Sequence, residues 1–276
     1  GQLAHAREVA EEVVALRAAG HELVLTHGNG PQVGALALAM PEQSLDVLTA
    51  MTQGQIGYLL ETALGPDVPS AALLTRVVVD PGDPAFARPT KPVGPFYAGE
   101  EARRLALERG WAVADDAGRG WRRIVPSPRP VRVLGADNVR TLLDADVVVI
   151  AAGGGGIPVD DEATGLAGVI DKDRCSAELA RAIGADLLVM LTGVPRVALD
   201  YGTRWERELS AITVAEAERA MADGEFPPGS MGPKIEAAGR FVGAGGGRAV
   251  ITAPGRMLAA VAGEDGTWVV PEAVPA

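Results

Sequence analysis

The sequence predicts an α/β protein, a three-layer α/β/α sandwich around a mainly parallel sheet with a protruding subdomain. Three observations carry this prediction. Short apolar runs such as Asp146–Ala152 and Asp186–Thr192 have the length and composition of strands buried on both faces. Amphipathic stretches separate such runs, as helical crossovers separate parallel strands. One proline- and aromatic-rich stretch between them fits neither pattern.

The elements follow in order. His5–Ala19 carries Val9, Val13 and Leu16 at helical spacing, and Gly20 suits a helix stop. Glu22–Thr26 reads as a short strand entering His27-Gly28-Asn29-Gly30-Pro31, where Pro31 suits a first helical position. Asp80–Gly99 holds Pro81, Pro84, Pro89, Pro92 and Pro95, so it cannot be a regular central element. Glu100–Arg109 is a predicted helix, and Trp111–Val125 alternates like a hairpin around Gly118 and Gly120.

The stretch from about 79 to 130 contains Phe86, Phe96, Tyr97, Trp111 and Trp121, five of the 11 aromatic residues, and reads as a packed lobe or lid. The α/β pattern resumes with Asp146–Ala152 running into Gly153–Gly156, helix Arg174–Gly184 and strand Asp186–Thr192. Thr213 and Glu216 form a capping box opening a helix to about Asp223. Pro233 marks another helix start, followed by strand Arg248–Thr252 and helix Pro254–Ala262. The expectation is one domain over residues 1–276, with the lobe projecting from it.

Composition narrows the setting. At 47% apolar, 22% charged and 4% aromatic, the 276 residues can build a core, and the 35 glycines and 20 prolines are aperiodic. No apolar run approaches the ~18 residues of a membrane span, and no basic, apolar leader opens the chain. A soluble protein of the cytoplasm, away from membranes, is expected. The net charge of −11, with no basic cluster, argues against a nucleic-acid partner. Cys175, the single cysteine, is expected to be a small buried side chain at a helix start, with a reactive thiol as the alternative.

Of the 25 basic residues, 22 are arginine and three are lysine: Lys91, Lys172 and Lys234. Where arginine serves as the general cation, surviving lysines mark places that require a compact ammonium. All three sit in turn-forming segments beside glycine or proline.

Two strands end in glycine clusters, Gly28-Asn29-Gly30 and Gly153-Gly154-Gly155-Gly156. Ligands of open α/β sheets bind at carboxyl ends of strands, where glycine lets backbone N–H groups approach an anion. No G-x-x-x-x-G-K-[ST] motif occurs. Gly28-x-Gly30-x-x-x-Gly34 resembles a dinucleotide fingerprint weakly, since Pro31 interrupts it and no acidic residue closes a second strand at about 20 residues. A nicotinamide enzyme is therefore a distant alternative.

With only His5, His21 and His27, a metal–histidine site or a serine–histidine triad lacks material, and no metal-ligand set is assigned. His27, beside the first glycine loop, is expected to make a structural hydrogen bond, with contact to a ligand as the alternative. Three ammonium groups beside glycine loops suit phosphoryl transfer, which needs positioning and charge stabilisation more than covalent help. Asp171 stands next to Lys172, where it can orient the ammonium groups or hold a metal.

The motifs resemble those of the carbamate kinases of the amino-acid kinase superfamily. The resemblance rests on Thr26–Gly34, Ala50–Gly57, Asp80–Phe86, Thr90–Tyr97, Arg123–Pro128, Ala151–Pro158, Val169–Asp173 and Pro228–Ala238, in family order along the chain. It implies reversible phosphoryl transfer between ATP and carbamate with Mg²⁺, often at the end of arginine breakdown, by a homodimer with a protruding subdomain.

By motif, Lys91, Lys172 and Lys234 would surround the phosphoryl group, organised by Asp171. Gly28, Asn29, Gly30, Gly153, Gly154 and Gly155 would hold carbamate and phosphate. Thr192, Gly193, Val194, Met231 and Gly232 would border the nucleotide, with Lys234 also reaching it. The family's opening strand, ending Gly-Gly-Asn, has no counterpart in these residues. Two alternatives accompany this reading: a kinase for another small carboxylate such as acetylglutamate, and a non-catalytic nucleotide-binding protein if that strand is truly absent.

Overall fold

The computed structural model describes residues 2–116, 118–226, 229 and 231–271. Helix α1 (Gln2–Ala18) buries Val13 and Leu16 and ends ahead of Gly20, whose φ of +91° is open to glycine. Strand β1 (Val24–Leu25) is shorter than the expected Glu22–Thr26, because its pairing extends only over Val149 and Ile150. α2 (Gly30–Ala39) starts at the first glycine loop with Pro31 in its first turn. α3 (Leu45–Leu64) has no clean apolar stripe. Thr49, Thr52 and Gln53 lie on its buried face, so hydrophobic periodicity does not announce it.

Strands β2 (Ser70–Ala72) and β3 (Arg76–Val79) lead to α4 (Pro84–Ala87), a single turn capped by the Asp83 side chain. β4 (Lys91–Tyr97), α5 (Gly99–Arg109), β5 (Ala112–Asp115) and β6 (Trp121–Val125) follow. After β7 (Pro130–Val133) and α6 (Ala136–Asp144), β8 (Val148–Ile150) enters a tight turn at Gly153–Gly155. Next come β9 (Ile157–Val159), α7 (Lys172–Ile183), β10 (Leu187–Leu191), β11 (Ala198–Leu199) and β12 (Arg207–Glu208). β13 (Ala211–Thr213) runs into α8 (Val214–Ala222) through the expected capping box. α9 (Met231–Gly243), β14 (Arg248–Thr252), α10 (Met257–Val261) and β15 (Thr267–Val270) complete the chain. The last helix is shorter than the expected Pro254–Ala262.

The strands associate as β1-β8-β2, β7-β3-β9, β10-β14-β15-β13, the hairpin β11-β12, and β4-β6-β5. Parallel pairs join β1 and β2 to β8, β3 to β9, β10 to β14 and β13 to β15. Alternation along β8 shows the layering: Val148 and Ile150 pack with α1 and α3, whereas Val149 packs with Val139 of α6 and Leu179 of α7. Helices therefore cover both faces of this sheet. β14 sends Ala249 and Ile251 into a second core with α8 and α9.

The β4-β6-β5 sheet is antiparallel and carries α5. β4 tolerates Pro92 and Pro95 because it is an edge strand. Its register breaks between Val93 and Tyr97, around Gly94 at φ +75°. Val93 and Val125 join Val33, Leu48 and Val169 in one apolar cluster, fastening this sheet to the body.

Candidate active site

Asp171 caps α7. Its Oδ1 accepts from the Asp173 and Arg174 amides at 3.0 and 3.3 Å, leaving Oδ2 for Lys91 Nζ at 2.9 Å. One carboxylate thus joins the helix start to the first residue of β4. Lys234, the fourth residue of α9, is 6% exposed, and its Nζ donates to Asp173 Oδ2 at 2.8 Å. Lys172 lies between the two aspartates in sequence, yet among the described residues no carboxylate stands within ion-pair distance of its nitrogen. Its stem crosses the first glycine loop: a Cβ on Gly28 would lie 3.5 Å from Lys172 Cδ and 3.8 Å from Nζ.

The charges shift one another. Burial opposes a charged Asp171, but the Lys91 ammonium and its hydrogen bond, with the Arg174 amide and guanidinium, outweigh burial and hold the carboxyl below its ordinary range. Burial pushes the Lys172 ammonium down. Lys234 and Lys91 add to that shift, while Asp173 and Asp171 offset part of it.

The glycine loops divide into two kinds. The Gly154 amide donates to the His27 carbonyl at 2.7 Å, tying the loops together. A Cβ on Gly153 would stand 2.2 Å from His27 Nε2, one on Gly154 2.2 Å from Asn29 Nδ2, and one on Gly155 2.3 Å from the Ile170 carbonyl oxygen. These three glycines are required by the protein's own packing. A Cβ on Gly30 would meet nothing, and one on Gly28 only the Lys172 side chain at ordinary contact distance. Their bare backbone therefore faces open space.

The Asn29 side chain donates to Thr52 Oγ1 at 2.9 Å, so α2 begins without a side-chain cap. Its first-turn amides carry the partial positive charge of an uncapped helix start.

α3 holds these loops in place. Gln53 donates through Nε2 to the Gly153 carbonyl at 2.8 Å and accepts at Oε1 from the Thr75 amide at 2.9 Å. Gln53, Thr52 and Asp173 are absent from the expected site residues, although they lie inside two of the stretches that carry the family resemblance, Ala50–Gly57 and Val169–Asp173. Within those stretches, the place of Asp173 in Asp171-Lys172-Asp173 and the polarity of the α3 residues inside an otherwise apolar segment were the local signals.

His27 makes the expected local contact, from Nδ1 to the Gly28 carbonyl oxygen at 3.1 Å. Burial pushes its pKa down, which favours the neutral ring. Cys175 is fully buried in the first turns of α7, as expected.

The remaining expected residues lie at the ends of β10 and α9. Thr192, Gly193 and Val194 follow β10, and the Thr192 amide donates to the Thr252 carbonyl at 2.8 Å. Met231 and Gly232 open α9, three and two residues before Lys234. Pro228 and Ser230 of the same motif lie outside the described residues. Two surface grooves, one between α7 and α9 and one between α8 and α9, contain none of the lysines. Among the described residues, no three His, Cys, Asp or Glu side chains converge on a metal position.

Residues 2–253 match the family model described as the amino acid kinase family. The chain belongs to that family. Within it, the chain is 45% identical to a carbamate kinase of Pyrococcus furiosus, over 96% of this chain and 90% of that protein. It is 47% identical to a carbamate kinase of Halobacterium salinarum, over 91% and 86% of the two chains. Among solved structures, carbamate kinase from Giardia lamblia bound to AMP-PNP superposes with a TM-score of 0.84 at 39% identity, covering 96% of this chain and 90% of that one. The N-acetylglutamate synthase of Neisseria gonorrhoeae, at 17% identity and a TM-score of 0.64, shares the fold.

Proposed function

We propose that this amino acid kinase is a carbamate kinase, interconverting ADP plus carbamoyl phosphate with ATP plus carbamate. The carrying observation is the gathering of all three lysines with Asp171 and Asp173 above two glycine loops. The likeness to carbamate kinases over nearly the whole chain supports the same reading.

Lys91, Lys172 and Lys234 supply positive charge to the transferring phosphoryl group. Asp171 and Asp173 orient Lys91 and Lys234. Gly28, Asn29 and Gly30, with Gly153, Gly154 and Gly155, form the backbone cradle for carbamate and phosphate. Thr192, Gly193, Val194, Met231 and Gly232 border the nucleotide. Carbamate is already an anion and needs no general base, which suits a site whose nearest histidine is biased toward neutrality. Both aspartates are engaged by lysine, so the donor set does not fit a protein-held metal. Mg²⁺ would arrive on the nucleotide's phosphates.

The chain would act as one unit over residues 1–276, with the lobe at about 79–130 bringing Lys91 over the site. A lobe that shields carbamate from water is chemically apt. A homodimer working in the cytoplasm completes the proposal.

The test is ATP formation from ADP and carbamoyl phosphate with Mg²⁺, with acetylglutamyl phosphate run in parallel. Turnover with carbamoyl phosphate alone is expected. Turnover only with acetylglutamyl phosphate would assign a different carboxylate kinase, and ADP binding without turnover would leave a nucleotide-binding protein.

A further inference from the structure

The three lysines differ in one respect that phosphoryl transfer leaves unused. Lys91 and Lys234 each hold a carboxylate, at 2.9 and 2.8 Å. Lys172 holds none within ion-pair distance among the described residues, and its amine lies over the bare backbone of Gly28. It is half-buried, reachable by a small molecule from the same open space that a substrate would enter. Beyond the three lysines, every side-chain cation of the chain, histidine apart, is an arginine.

We propose that Lys172 is a selective carbamoylation site, reacting with isocyanic acid. The geometry favours it over its two neighbours. An amine that attacks carbon must offer a lone pair, and a lysine desolvated beside other cations is activated for attack. Burial, chiefly, and the two neighbouring ammonium groups act on Lys172 in that direction, and Asp173 and Asp171 offset only part of the shift. Lys91 and Lys234 must first give up a charge-assisted hydrogen bond to an aspartate.

The step balances without a leaving group. The Nζ lone pair forms a bond to the carbon of HN=C=O, the C=N π pair takes up a proton, and Nζ loses one. The product is a neutral urea, Lys172–NH–CO–NH₂.

The source of the reagent rests on the carbamate kinase reading. Carbamoyl phosphate eliminates to isocyanic acid and phosphate: the carbamoyl nitrogen loses a proton, the C–O bond to phosphate breaks, and phosphate leaves with the electron pair. An enzyme holding this compound would generate a lysine-modifying agent beside the amine most open to it. A surface without lysine leaves that agent few other targets. Carbamoylation would remove a positive charge from the phosphoryl site and halt turnover.

The experiment exposes the folded chain to ¹³C-labelled potassium cyanate at neutral pH and follows each lysine-bearing peptide by mass spectrometry. The α-amino group, which cyanate attacks in any polypeptide, is counted separately. Lys172 is expected to gain one carbamoyl group at least about tenfold faster than Lys91 or Lys234, since those two must break a charge-assisted contact first. Equal or faster labelling of Lys91 or Lys234, or no labelling of Lys172 in the folded chain, overturns the proposal. A second arm supplies carbamoyl phosphate without ADP in place of cyanate. Label at Lys172 is expected there too, and its absence overturns the substrate-derived source. Labelling by cyanate requires no turnover, so loss of the proposed kinase function and loss of this inference would be seen in different assays.

Discussion

Gly34 of α2 and Gly94 of β4 cross so closely that a Cβ on Gly34 would lie 2.0 Å from the Gly94 Cα and 2.2 Å from its nitrogen. β4 thus rests on α2 through two backbones with no side chain between them. β4 begins at Lys91, so this crossing sets where the Lys91 ammonium meets Asp171.

Gly34→Ala should therefore push β4 away from α2. Overpacking of this kind costs about 1–3 kcal/mol, and displacement of Lys91 should lower kcat well beyond that loss of stability. Gly94→Ala places its Cβ at an ordinary 3.5 Å from Gly34 but strains a backbone at φ +75°, for about 1–2 kcal/mol. Urea unfolding with steady-state kinetics separates the two. Equal kcat in wild type and Gly34→Ala would remove the crossing from the account of the site.

Lys234 and Asp173 form the more enclosed pair, with side chains 8% and 12% exposed. Removing one partner leaves a buried charge unpaired, so Lys234→Ala and Asp173→Ala should each destabilise by about 3–5 kcal/mol. The double variant should lose clearly less than the sum. Lys234→Arg keeps the charge, yet a planar fork does not occupy the place of a compact ammonium, and most activity should vanish. Additive losses in the cycle, or near wild-type turnover of Lys234→Arg, would contradict this geometry.

Much of this site was legible because the sequence substitutes arginine for lysine almost everywhere, so the three exceptions stood out. The glycine clusters were legible as strand ends, and the capping box at Thr213 and Glu216 formed as read. α3 was not legible, since its buried Thr49, Thr52 and Gln53 break the apolar period while serving the loops. The division of the glycines into packed and open ones depends on His27, Asn29 and Ile170, and no local pattern reports those contacts. Strand order was likewise hidden. It is set by pairings such as Val24 with Val149, which are distant in sequence.

Lys172 gives a pH prediction. Its folded pKa is depressed, so between that value and the ordinary ~10.4 the unfolded chain binds the extra proton and stability rises with pH. Below the folded pKa, the buried ammonium carries its full penalty. Lys172→Met should therefore melt above wild type at neutral pH, with the difference shrinking as pH rises through the folded pKa. The alkaline limb of kcat/KM, which reports the free enzyme, should fall below ~10.4 in wild type, because in the proposed mechanism the ammonium form of Lys172 is the one that stabilises phosphoryl transfer. A melting difference independent of pH would show that Lys172 titrates as an ordinary lysine.

Gly28 and Gly154 separate ligand space from packing. A Cβ at Gly28 meets only the Lys172 side chain at 3.5 Å or more, whereas one at Gly154 lands 2.2 Å from Asn29 Nδ2 on a backbone at φ +65°. Asn29 is 3% exposed and bonded to Thr52, so it has little room to yield. Gly28→Ala should keep wild-type stability while losing kcat/KM on the order of 100-fold, because the methyl group would stand where the proposed cradle places the reacting anion. Gly154→Ala should instead unfold at lower urea, by about 1–3 kcal/mol. If Gly28→Ala were as active as wild type, the bare backbone above Lys172 would not be where the anion lies, and the cradle would have to be sought at Gly30 and the uncapped start of α2.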